Sequence, residues 1–113
     1  MRSRSQVLVE ALSNPERLAS VAGHARVQSL PTLLQRHGLL QVVAFLHAKA
    51  ADHKAKTAAP DQILLDILGD AMRAVEPRAT LSLVDLAKAP AAHYTYLYEL
   101  AHDAAFWLAR MVP

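Results

Sequence analysis

Six histidines, two aspartates one helical turn apart and a run of tyrosines are the side chains of this sequence that could do chemistry. A zinc site needs ligands that converge, such as two histidines at i, i+4 with a third ligand elsewhere. His47 and His53 stand six residues apart, and His93 and His102 nine, so neither pair stacks its rings on one helix face. The spacing therefore predicts no metal centre and places the histidines on surfaces and helix ends. Asp66 and Asp70 could form a paired carboxylate for acid–base work. Arg73 follows three residues on, which predicts local ion pairing on an exposed face instead. Tyr94, Tyr96 and Tyr98, with Phe106 and Trp107, could stack on bases. Tyr94 and Tyr98 fall on an apolar stripe and are expected to pack with their hydroxyls at its rim, leaving Tyr96 freer. Trp107, between Phe106 and Leu108, is expected in a core or interface. The chain contains no P-loop, dinucleotide fingerprint or nucleophile elbow. No catalytic constellation emerges, and the expectation is that the chain is not an enzyme.

The cations are distributed unevenly. Met1 to Ala59 carries eight Arg and Lys against Glu10, Glu16 and Asp52, whereas Pro60 onward carries four against seven acids. A net charge of +2 does not by itself mark a nucleic-acid binder, but a cationic front half is compatible with a phosphate-contacting patch. Arg36 and Lys49 each lie near an expected helix C-terminus, where the helix dipole favours cations without any ligand. Lys54 and Lys56 lie beyond that explanation, with only Asp52 near them in sequence.

The elements that must position these side chains are helices. Hydrophobic residues make up 53% of the 113 positions, mostly Ala and Leu, and aromatic residues only 5%. That balance favours helix over strand, and three glycines leave little material for tight hairpins. The expected fold is all-α, a compact bundle of five to six helices forming one domain over residues 1–113. Cysteine is absent, which rules out disulfides and thiolate ligands. The start of the chain turns amphipathic after Arg2 and Arg4 and no apolar run reaches membrane-span length; a cytoplasmic protein with no membrane partner is expected.

Apolar spacing predicts a helix from Ser5 to Leu12, and Asn14-Pro15 is a helix start, leaving a break or a kink between the two. Ala25 to His37 is helical, with Pro31 in a first turn or at a kink. Gly38 is a helix stop with glycine at a left-handed position. Leu39 to Ala51 is apolar on almost every face, which predicts central burial with Lys49 at the wet end. Asp61 to Val75 is amphipathic, with Ile63, Leu64, Ile67, Leu68, Ala71, Met72 and Val75 inward. Thr80 or Ser82 caps a short helix to Lys88, and Ala91 to Met111 is the last.

The segment from Leu30 to Lys49 resembles the small subunit of type III-B CRISPR-Cas (Cmr) effector complexes. The matching residues are Leu30, Pro31, Gly38, Leu39, Gln41, Ala44, Phe45 and Lys49, with departures at His37, where Asn is usual, and Leu40, where Gly is usual. Arg4-Ser5-Gln6 near the start and Tyr94, Trp107, Leu108 and Arg110 near the end extend the likeness. The resemblance implies a non-catalytic subunit of an RNA-guided, RNA-targeting complex. Copies of it stack with one another and with other Cmr subunits in an inner filament, and a basic face helps hold target RNA against the guide. Cleavage and nucleotide chemistry belong to its neighbours, so no cofactor is implied. On this reading Arg4, Arg36, Lys49, Lys54 and Lys56 are the candidate RNA contacts. The alternative is a helical adaptor that binds only protein, and a metal-dependent enzyme using the histidines is a more remote third.

Overall fold

Local capping chemistry sets the first two helices. In the computed structural model, which describes residues 1–56 and 58–113, Ser3 caps helix α1 (Arg4–Leu12). Its hydroxyl accepts from the Gln6 amide at 3.2 Å, and the Gln6 side chain accepts from the Ser3 amide at 2.7 Å. This reciprocal pair satisfies two amides that the first turn leaves without partners. Asn14 then accepts from the amides of Glu16 and Arg17, at 3.0 and 3.2 Å, and starts α2 (Pro15–Ser20) with Pro15 at the first position. The junction is thus a true break between two helices.

Helix α3 (Ala25–Ala51) is the longest element, and its interior departs from helical dihedrals at Gly38, with φ 79° and ψ 169°. That is an extended conformation of positive φ that only glycine adopts readily. Gly38 ends the first helical stretch with the positive φ expected of a glycine stop, and the second stretch resumes at once across the kink. The kink releases the Leu40 amide from the ladder, and the Tyr94 hydroxyl accepts its hydrogen bond at 2.9 Å. Pro31 does not lie in a first turn. It sits well inside α3, where the missing N–H removes one ladder bond.

Helix α4 (Ala58–Val75) begins three residues before the expected Asp61. Ser82 caps α5 (Leu83–Lys88), accepting from the Asp85 amide at 3.4 Å, while Thr80 accepts from the Ser82 amide at 2.9 Å. Helix α6 (Ala91–Met111) closes the chain. Six helices, and no strand among the described residues, make the fold all-α.

Helices α3, α4 and α6 pack on one another, α1 lies across α4 and α6, and α2 and α5 flank α4 and α3. Three polar ties fix α3 antiparallel to α6. Gln28 donates to the Ala109 carbonyl at 2.9 Å, Gln35 meets His102 at 3.2 Å, and Leu40 donates to Tyr94. The core runs through Leu8, Leu30, Leu39, Leu64, Leu97 and Leu108, all essentially excluded from solvent. Burying one such leucine contributes about 1.5–3 kcal/mol. The radius of gyration, 13.2 Å, is that of a compact globule of this length.

Central burial of the Leu39–Ala51 stretch is corrected by the structure. Leu39, Val42, Val43 and Leu46 are buried, but Leu40 and Ala44 are half-buried and Phe45 is 41% exposed. The second half of α3 rests on α4, α5 and α6 with one side and leaves the other open.

Candidate nucleic-acid interface

Helix α3 contains no acidic residue across its whole length, while it carries Arg26, Arg36 and Lys49, with His37, Gln41 and His47 among its other polar residues. Gln41, Phe45 and Lys49 recur at intervals of four beyond the Gly38 kink, which places them along one side of that part of the helix, and His37, just before the kink, lines the same cavity as Gln41 and Phe45. All four are exposed. The Arg26 guanidinium lies 5.1 Å from the Phe45 ring centroid and the Lys49 ammonium 5.5 Å from it, both within cation–π range. Beside Phe45 an open cavity of about 180 Å³ is lined by Leu33, His37, Gln41, Val42 and Phe45.

Arg26 is held in place from below. Its guanidinium donates to Asp61 through Nε at 2.8 Å and Nη2 at 3.0 Å, and His24 Nε2 lies 2.7 Å from the same carboxylate. Asp61 is fully buried. Burial pushes its carboxyl up, but the hydrogen bonds and charges of Arg26 and His24 outweigh that and hold it below the usual carboxylate value. This cluster ties the start of α3 to the start of α4. Sequence reasoning treated Asp61 only as a helix start and His24 only as a helix-end residue. A signal was present: Asp61 continues the spacing of the buried Leu64, Leu65 and Leu68.

The five expected RNA contacts are not gathered at one spot. Lys49 lies in the last turn of α3, and Lys54 and Lys56 follow in the turn after it, all three exposed. Among the described residues none of these three forms an ion pair, and Asp52 in the same turn accepts from the Lys54 backbone amide at 3.3 Å. Arg36 is exposed on α3, on the far side of the Gly38 kink from Lys49. Arg4 belongs to another surface. It pairs with Asp103 of α6 at 2.9 Å and lies 5.5 Å from the Tyr96 ring centroid. The hydrogen bond to Asp103 raises its pKa.

The other candidate sites resolve into packing and local ion pairs. Asp70 pairs with Arg73 at 2.8 Å and with Arg17 of α2 at 2.7 Å, which together hold its carboxyl low. Asp66 accepts from Gln62 at 3.0 Å. His47 Nε2 meets the Leu81 carbonyl at 3.0 Å, and His102 stacks on Tyr98. Trp107 is half-buried against the core and meets Phe106 edge-on. Among the described residues no three His, Asp or Glu side chains converge as a metal site would require.

The family model described as CRISPR-associated protein (Cas_Cmr5) matches residues 17–113. The chain belongs to the Cmr5 family. That family is the small, fifth subunit of Cmr complexes that the residues from Leu30 to Lys49 resemble, so this Cmr5-family chain is a CRISPR-associated protein whose family points to assembly with other Cmr subunits. No curated protein and no solved structure matches it. Among the described residues no helix is long and apolar enough to cross a membrane.

Proposed function

We propose that this Cmr5-family chain is a non-catalytic, cytoplasmic small subunit of a type III-B RNA-targeting complex. It takes its place among copies of itself in the inner filament and helps hold target RNA against the guide. The observation that carries the reading is the acid-free, partly open α3 ending in Lys49, followed by the exposed Lys54 and Lys56. Three cations without ion-pair partners among the described residues are available to phosphates. Each one that replaces a condensed counterion contributes affinity through the release of that ion, with little dependence on base sequence. Arg36 extends the same helix's positive potential. Arg4 contributes less in this role, because its charge is already matched by Asp103.

The chain's own side chains supply position and charge, and the chemistry of cleavage is assigned to neighbouring subunits. The test is reconstitution of the complex with the triple variant Lys49→Ala, Lys54→Ala, Lys56→Ala. Subunit composition is expected to be unchanged while retention of target RNA falls. Unchanged retention would favour the protein-only adaptor.

A further inference from the structure

Phe45 is a large apolar side chain left 41% exposed on a folded surface, beside an open apolar cavity and between two cations. Packing does not account for this placement, since Leu39, Val42, Val43 and Leu46 already fill the core side of the same helix. We infer that Phe45 and the cavity lined by Leu33, His37, Gln41 and Val42 form a subsite for one unpaired nucleobase of a single-stranded RNA, with Lys49 on the adjoining phosphate. This rests on the RNA-holding reading above and deepens it from a charged cradle to one with a stacking platform.

The chemistry favours a nucleotide over a protein side chain as the occupant. An aromatic face next to the Lys49 ammonium on an acid-free helix complements a ligand that is planar, apolar and anionic at once, the Arg26 charge being already matched by Asp61. Single-stranded nucleic acid combines these properties, and proteins hold it with aromatic stacking beside a positive groove. The Arg26 guanidinium is fixed by Asp61 at two hydrogen bonds, so it holds a constant position beside the ring. Lys49 has no such anchor among the described residues and is the cation able to follow a phosphate. Gln41, one turn before Phe45, and His37, across the Gly38 kink, line the same cavity and offer an amide and ring nitrogens to a base edge. Stacking on Phe45 is tolerant of base identity because every base has a π-face, which agrees with a subunit that must accept any target.

The test uses the assembled complex and a target RNA in which single nucleotides are replaced by an abasic ribose. With wild-type protein, an abasic position at the subsite is expected to lower affinity roughly five- to hundredfold, the range that loss of one base–aromatic stack produces. Phe45→Ala is expected to lower affinity for the unmodified RNA by a similar factor and to make the abasic substitution neutral. The salt dependence of binding should be unchanged in that variant. Phe45→Trp should restore both effects, and Phe45→Leu, which keeps apolar bulk without a π-face, should not. Wild-type affinity in Phe45→Ala, while lysine variants still weaken binding, overturns the stacking subsite and leaves the cradle standing. Lysine variants without effect on RNA overturn the cradle and the subsite with it. Phe45→Ala protein that folds but fails to enter the complex, with Phe45→Leu entering normally, assigns Phe45 to a protein contact and overturns the subsite.

Discussion

Asp61→Asn would leave the Arg26 guanidinium and His24 without the carboxylate around which both are arranged. Breaking a buried charge pair on one side costs about 3–5 kcal/mol, so this variant should show a clear drop in the midpoint of chemical denaturation. The same carboxylate gives a pH dependence whose sign follows from its depressed pKa. Its stabilisation is complete above the unfolded-state value of about 3.9 and is lost as pH falls through the lower folded-state value. Urea midpoints measured from pH 6 downward should therefore fall in wild type below about pH 4, and fall less in Asp61→Asn. Asp70 adds a smaller contribution of the same sign, because its carboxylate is half exposed and its pairs with Arg73 and Arg17 are screened. Residue types alone were a good guide to Asp66 and Asp70, whose partners are local or at exposed edges. They were a poor guide to Asp61, whose partners lie 35 and 37 residues away in sequence. Long-range pairing of a buried charge leaves only an indirect trace, its place in register with the buried apolar residues that follow it.

At the level of elements, the α3 kink is held by two residues from different helices. Gly38 supplies a dihedral region closed to other side chains, and Tyr94 supplies the acceptor for the amide that the kink releases. Gly38→Ala is expected to cost about 1–3 kcal/mol through backbone strain, although the nearest atom to an added methyl, the Tyr94 hydroxyl at 3.7 Å, leaves room for it. Tyr94→Phe should cost about 1–3 kcal/mol if the Leu40 amide is left unsatisfied, and the two changes should be non-additive in a double-mutant cycle, since they act on one structure. Helix starts at Asn14 and Ser82 were legible because side-chain capping is a local event. The place of Pro31 stayed open between two alternatives because the competition between a lost ladder bond and the packing of Leu30 and Leu34 on either side is decided by the rest of the fold. Phe45 was misread for a related reason. Seven apolar residues in eight positions mask the four-residue rhythm of Gln41, Phe45 and Lys49 that marks the open side.

Across the whole molecule, the antiparallel pairing of α3 with α6 and the Asp61 cluster with α4 hold one long cationic helix rigidly while exposing one of its sides. The basic front half and acidic back half of the sequence are thereby folded into one globule, with ion pairs such as Arg4–Asp103 and Arg17–Asp70 joining the two. Among the described residues, the front-half cations outside any ion pair are Arg36 in the middle of α3 and Lys49, Lys54 and Lys56 at its end and in the turn after it. Charge asymmetry was readable from the sequence, but which cations stay available was not, because that depends on where α4 and α6 bring their acids.

The most direct measurement of the central claim is the salt dependence of target-RNA affinity in the assembled complex. On a plot of log K against log salt concentration, removing Lys49, Lys54 or Lys56 one at a time should each flatten the slope by about 0.7, with affinity at low salt falling in step. Identical slopes for wild type and all three single variants would contradict the account.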